Sequence, residues 1–435
     1  MTSVRAILTR GMVQAVATLA VLTGLAGWIA GARYGHALVT LGLAVYIATF
    51  FTRRTSFRRS WGTLELMQAT GDDALEHVEG AVRSFRKLAA KRPGEAHHLA
   101  NALDKQWQLL NERDKHEEAV AAAREAVETW RSLVVDHPGC RSNLSRALNH
   151  LALSLGRLDR DSESIQYNEE AIVVQRALVV AEENILAQHL ANQAIGLRRC
   201  DRWEEALPVA TAACELYRRV VPLKPDMLED AAQAAERLVT TLGHLDRREE
   251  AVLAAHEWIG YERALAEADP ARVPELAEAV RVLGGIMLLA HQDDGLSYWR
   301  ESLEILRRDG GHPATYAALC STVGRGFASV GEHDEALAVY RTGLTVRREL
   351  AAAEQGQFGD LLTELAEAAF SMRVYPGHSE PAAAQFTAEA TALAREHASS
   401  ISRAALAEAA NLLGRAEFAD EARELEELSD RRASS

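Results

Sequence analysis

The residues whose chemistry would be easiest to recognise are scattered, and their spacing builds no reactive centre. His97 and His98 could ligate a metal, but neighbouring residues on a helix point to different sides, so the pair reads as a solvated helix start. Gly324-Arg325-Gly326 resembles part of a dinucleotide-binding signature, yet it falls inside a helical pattern with no strand before it, which points to close helix packing instead. The chain has no Gly-Lys dipeptide and therefore no P-loop, and it lacks HExxH, GxSxG and paired CxxC motifs. Cys140, Cys200, Cys214 and Cys320 have no metal-ligand spacing and read as small core residues of a reducing compartment; Cys200 and Cys214 belong to one hairpin but are not expected to pair. The seven tryptophans fall at unrelated positions, as packing residues do. A net charge of −14 with no basic, aromatic-bearing face argues against nucleic acid. The expectation is a protein that is not an enzyme, with no catalytic residue, no metal and no cofactor.

What the chain does carry is a repeat. Residues 142–182 read as two helices: Leu144, Leu148, Leu151, Ala152 and Leu155 at helical spacing, a turn from Gly156 to Asp161, then Ile165, Asn168, Ala171, Ile172 and Leu178. LGRLDR at 155–160 returns as LGHLDR at 242–247, so the hairpin must stack on copies of itself to bury its second face. A small residue near the start of each second helix falls at Ala74, Ala119, Ser164, Ala206, Ala251, Gly295, Ala336, Ala382 and Ala422. Seven residues on, a second small residue recurs (Ala81, Ala126, Ala171, Ala213, Ser302, Gly343), with Glu389 breaking the rule in the unit of Ala382. Nine residues before the anchor stands an apolar one (Leu110, Leu155, Leu197, Leu242, Ile286, Phe327). Small residues let two helices approach closely, and large ones fill the space between hairpins.

These units resemble tetratricopeptide repeats, in the long form of roughly 42 residues found in kinesin light chains and many bacterial scaffold proteins. The matching features are the Leu-Gly or Leu-Ala segment late in the first helix, the Glu-Glu-Ala turns at 117–119, 204–206 and 249–251, and Pro138, Pro222, Pro270 and Pro313 beyond second helices. The units at 295 and 382 depart most, so their register is open. The resemblance implies an all-α, right-handed superhelical solenoid of about nine hairpins over residues 55–430, with 431–435 as a disordered tail. It also implies that positions 18, 15 and 11 before each anchor face an inner groove. These are Asn101, Asp104 and Gln108; Arg146, Asn149 and Leu153; Gln188, Ala191 and Ile195; Gln233, Glu236 and Thr240. The polar members (Asn101, Asp104, Gln108, Arg146, Asn149, Gln188, Gln233 and Glu236) are candidates to hydrogen-bond a peptide main chain. In the next two units the same positions, Ala277, Val280 and Gly284, then Ala318, Ser321 and Arg325, are mostly small or apolar.

The first 60 residues differ from the rest, holding seven Arg and no acid. Met12–Ala32 and residues 34–52 are uncharged and long enough to predict a two-helix membrane anchor over 1–54. Arg53, Arg54, Arg58 and Arg59 would then keep the array and both termini in the cytoplasm, with Arg58 and Arg59 against lipid headgroups. The function expected is a membrane-anchored scaffold that binds a protein or peptide partner in its groove. The alternative is a sensor whose repeat array changes conformation on binding a peptide or small ligand.

Overall fold

The computed structural model describes residues 73–178, 182–292, 294–353, 358–375 and 379–433. Among them the chain forms 17 α-helices joined by short turns, and it divides into two compact units, Met1–Cys200 and Asp201–Ser435. In the first unit α1 (Ala74–Ala89) precedes the hairpins α2 (Ala96–Asn111) with α3 (His116–Asp136) and α4 (Arg141–Arg157) with α5 (Asp161–Arg176); α6 (Glu183–Arg199) packs on α5. The second unit opens with α7 (Trp203–Val220) and continues in five hairpins. These are α8 (Leu228–His244) with α9 (Arg248–Ala268), α10 (Val273–Leu289) with α11 (Gly295–Asp309), α12 (Pro313–Ser329) with α13 (His333–Ala353), α14 (Phe358–Val374) with α15 (Glu380–His397), and α16 (Arg403–Arg415) with α17 (Ala419–Ala433).

The repeated turn explains the apolar residue nine before each anchor. The first helix closes with a left-handed residue (Asp114, Asp159, Asp246, His291, Glu417 or Gly331), and the next N–H reaches back to the carbonyl five residues earlier: Lys115 to Leu110 at 2.9 Å, Arg160 to Leu155 at 3.0 Å, Arg247 to Leu242 at 2.9 Å. This is a Schellman stop, and a short polar Asp tolerates the left-handed region better than most residues. Between hairpins, Pro93, Pro138, Pro225 and Pro270 each open a single 3-10 turn, so Pro225 takes the position expected of Pro222.

The anchors are the tightest points of the packing. Ala119, Ala206, Ala251 and Ala336 are fully buried, as are Ala81, Ala126, Ala171, Ala213 and Ser302 seven residues on. Two registers needed correction. The Ala383 N–H bonds the Ser379 carbonyl at 3.0 Å, as Ala119 bonds Lys115 at 3.0 Å and Ala251 bonds Arg247 at 3.0 Å, so the anchor of that hairpin is Ala383, one residue beyond Ala382. Seven residues after it stands Ala390, fully buried, and the small-residue rule holds after all. In the unit of Gly295 the stop falls one residue late, on Met287 rather than Ile286, with Gln292 N–H reaching Met287 O at 2.9 Å. The extra residue is absorbed where backbones touch. A Cβ on Gly284 would lie 2.7 Å from Gly295 O, and one on Gly295 would lie 2.6 Å from Gly284 O, so only glycine fits at either position.

Outside the core, successive second helices are laced by arginine–glutamate pairs that the sequence reading missed. Arg86 pairs with Glu125 (2.8 and 2.7 Å) and Arg131 with Glu170 in the first unit. In the second, Arg218 pairs with Glu257 (2.8 and 2.8 Å) and Arg348 with Glu389 (2.7 and 2.9 Å). Each arginine stands twelve residues after its anchor and each glutamate six, provided Glu389 is counted from Ala383.

The expected location, a two-span cell-membrane protein with its array and both termini cytoplasmic, is corrected: among the described residues no helix is long and apolar enough to cross a membrane. Even 21-residue α3 carries Glu117, Glu118, Arg124, Glu125, Glu128 and Arg131, and α10, rich in Leu and Val, ends after 17 residues that include Glu275, Glu278 and Arg281. The apolar stretches at 12–32 and 34–52 lie outside the described residues. The four cysteines are free thiols.

Candidate functional site

The predicted groove positions separate into members that stay available and members used for packing. In the first unit Asn101, Gln108 and Arg146 are exposed, with Gln108 accepting from Lys105 at 3.1 Å and Arg146 donating to Asn143 at 3.0 Å. Asp104 is half-buried between neighbouring hairpins: Trp130 Nε1 donates to it at 3.4 Å and His150 Nδ1 lies 3.6 Å away. His150 in turn stacks on Trp107, ring centroids 3.7 Å apart. Asn149 is only 8% exposed, and its Oδ1 accepts from Asn192 at 2.9 Å, which ties α4 to α6. Gln188 on α6 is half-buried.

Behind that face the α4–α5–α6 packing holds an unusual set of neutral polar groups. Ser145, Asn168, Gln175, His189 and Gln193 are all buried. Ser145 Oγ donates to Ala171 O at 3.0 Å and lies 2.8 Å from His189 Nε2, while Asn168 Nδ2 donates to His189 O at 2.8 Å. With Ser145 donating to the carbonyl, His189 carries its proton on Nε2. Burial lowers the His189 pKa to about 4, with nearby His150 adding to the shift.

The second unit brings the remaining predicted residues to an open cavity of about 740 Å³. Gln233, Glu236 and Thr240 of α8 line it, with Arg237 beside them; α9 contributes Trp258 and Glu262, α10 contributes Glu275 and Glu278, and Thr315 comes from α12. Counted from Met287, the groove positions of α10 are Glu278, Arg281 and Gly285, whereas Ala277, Val280 and Gly284 are buried. A slot of about 170 Å³ follows, lined by Ala277, Leu306, Ala318 and Leu319, and it shares Pro274, Glu278 and Thr315 with the first cavity. A third hollow of about 330 Å³, between Arg281, Trp299, Arg325 and Tyr375, shares Thr322 with the slot. The three hollows follow one another along α8, α10 and α12, each sharing lining residues with the next.

Its charges are mostly committed. Arg272 Nη2 donates to Glu262 at 3.1 Å, with Glu229 and Glu275 at 3.5 and 3.9 Å from Nη1. Burial raises the Glu262 pKa, and the Trp258 Nε1 donor at 3.2 Å and Arg272 oppose that shift. Arg281 grips Glu278 at 2.7 and 2.5 Å, and Arg325 holds Glu367 at 2.7 Å. Arg237 differs: its hydrogen bond goes to neutral Gln233 Oε1, at 3.1 Å, and burial lowers its pKa. Arg237, Trp258, Glu262 and Arg272 lie outside the groove positions used on the sequence. Arg237 could have been found there, one residue after Glu236 on the same helix. Among the described residues no group of His, Cys, Asp and Glu could hold a metal ion.

No protein-family model matches the chain, and no curated protein matches it either. Solved structures do. BtubC from P. vanneervenii is 18% identical, with 54% of this chain and 92% of that one covered at a TM-score of 0.42. A signal-transduction ATPase with a tetratricopeptide repeat sensor from Pyrococcus horikoshii is 13% identical over 84% of this chain, which spans 53% of the ATPase, at a TM-score of 0.43. A Rap protein complexed with competence and sporulation factor is 13% identical over 83% of this chain and 99% of its own, at a TM-score of 0.36. The array is of the tetratricopeptide-like type on its own hairpins, turns and anchors.

Proposed function

We propose that this chain is a binding scaffold whose second unit holds a protein segment in the groove along α8, α10 and α12. The observation that carries the reading is the continuity of the three cavities, whose shared lining residues place charged, apolar and aromatic surfaces in one line. Three successive first helices present their groove positions to that line, and Gln233 and Glu236 are among them. In the first unit the exposed Asn101, Gln108 and Arg146 form a separate candidate face, with Asp104, Asn149 and Gln188 beneath it. Nothing in either face assembles an acid, base or nucleophile around a common point, so binding rather than catalysis is the reading.

The test is a binding titration of the full chain with a labelled pool of random peptides, repeated with Ala318→Trp, which would fill the slot from an exposed position. Binding should fall while thermal unfolding stays within about 0.5 kcal/mol, as for surface sites. Equal binding by the variant, or no binding by either protein, would remove the groove from consideration. A sensor that changes shape is the second reading, supported by the neutral polar packing of α5 on α6. It predicts a change in scattering radius when peptide saturates the chain, and an unchanged radius would count against it.

A further inference from the structure

We propose that the occupant of the second unit's groove is an extended segment of a partner protein that sets an acidic side chain on Arg237 and a bulky apolar side chain in the adjoining slot; this rests on the groove reading above. The lining guanidinia differ in what they already hold. Arg272, Arg281 and Arg325 each have a carboxylate, in Glu262, Glu278 and Glu367. Arg237 faces the same cavity from α8 half-buried, and its bonded partner is the uncharged Gln233. A cation taken partly out of water without a bonded anion is under-compensated, and a planar guanidinium takes a carboxylate through two parallel hydrogen bonds. Most lining carboxylates cannot serve. Glu262 and Glu275 stand on Arg272, and Glu278 on Arg281. Glu236, which is exposed to water, and Asp230, both on the same helix, favour the Arg237 charge through space without matching the cost of its burial.

The slot fixes the second feature. Ala277, Leu306, Ala318 and Leu319 line about 170 Å³, enough for one apolar side chain. It meets the larger cavity at Pro274, Glu278 and Thr315, so one short segment can reach both. The groove continues past the slot to Trp299 and Tyr375. A chain running through therefore offers Arg237 a side-chain carboxylate in preference to a chain end.

The experiment is affinity selection on the immobilised full chain from a random library of nonapeptides acetylated and amidated at their ends. The bound pool should be enriched in Asp or Glu followed or preceded within a few residues by Leu, Ile, Met or Phe. For one selected peptide, Arg237→Met should weaken binding at least about tenfold, the loss expected when a charged hydrogen bond goes. Arg237→Lys should retain part of that affinity. The Gln analogue of the peptide should bind wild type and Arg237→Met alike. Enrichment of Lys or Arg instead, abolished by Glu236→Gln, would overturn the acidic partner and leave the groove standing. Binding only by peptides with a free C-terminus would also overturn the side-chain assignment. A chain that selects no peptide at all would sink the groove reading itself.

Discussion

Two helix seams in this molecule bury polar side chains, and they satisfy them differently. Where α14 meets α13 the interior holds a charged pair: Arg347 donates through Nε and Nη2 to Glu364 Oε1 at 3.0 and 2.5 Å, and Nη2 also reaches Ala314 O at 3.2 Å, with Asp360 3.6 Å from Nη1. Where α6 meets α5 the interior holds neutral groups, and Asn168 Oδ1, Gln175 Oε1, His189 Nδ1 and Gln193 Oε1 have no hydrogen-bond partner among the described residues. A saturated ion pair is intolerant of losing either member, because the survivor becomes an uncompensated buried charge. A neutral seam with spare acceptors tolerates single changes better but costs desolvation throughout. The first unit is therefore expected to open at α5–α6 before the second opens at α13–α14.

The sharpest way to break this contrast is to truncate the charged seam. Glu364→Ala should destabilise the second unit by about 3 to 5 kcal/mol, the usual cost of orphaning a buried charge. Hydrogen exchange in α13 and α14 would report it. A loss below about 1 kcal/mol would mean that the two seams are equivalent.

Acid probes the neutral seam instead. The His189 pKa, lowered to about 4 by burial, lies below the roughly 6.5 of an unfolded histidine, so the unfolded chain binds the proton more readily. The stability from neutral His189 is complete above about pH 6.5 and is lost as the pH falls toward about 4. The loss runs to about 1.4 kcal/mol per pH unit, or roughly 3 kcal/mol in all. Ser145 Oγ lies 2.8 Å from the ring Nε2, His150 acts on the ring from nearby, and among the described residues no carboxylate is bonded to it to hold the added charge. Amide exchange in α4 to α6 should accelerate across that window, and the acceleration should vanish in His189→Gln. Acceleration that persists in the variant would place the titrating group elsewhere.

Overpacking comes next, and it tests register as well as packing. Ala390→Leu should cost about 1 to 3 kcal/mol, because Ala390 is fully buried seven residues after Ala383. Leucine at Glu389, whose carboxylate lies on the outer face against Arg348, should cost less. The reverse order would restore Ala382 as the anchor.

That pair of residues shows how far the sequence could be read. Among the described residues, hairpin turns and anchors followed from spacing wherever the turn kept its length, because the Schellman stop and the close-packed alanine are local signals that leave little choice of residue. The reading slipped by one at Gly295 and Ala382, where turns of unusual length moved the frame without changing the apolar pattern. At Gly295 the slip hid Glu278 and Arg281 from the groove. Gln233 and Glu236 fall on the cavity of the second unit because their hairpin is regular. Asn149 and Asn168 show the other limit: an amide on a helix face carries no mark of whether it meets solvent or another amide, and only the partner helix decides.

The smallest effect expected belongs to the arginine–glutamate pairs between second helices, and it separates regularity from stability. Arg131 and Glu170 sit at the same positions as Arg86 and Glu125, and such repetition invites the inference that the pairs hold the hairpins together. Their side chains are 44% and 38% exposed, so water and salt screen the attraction and two long side chains must be ordered to gain it. Arg131→Ala should cost about 0.2 to 1 kcal/mol. A double-mutant cycle with Glu170→Ala at low and high salt isolates the coupling, which should shrink as salt rises. Coupling well above 1 kcal/mol that ignores salt would make the outer pairs, rather than the buried alanines, the feature that sets hairpin spacing.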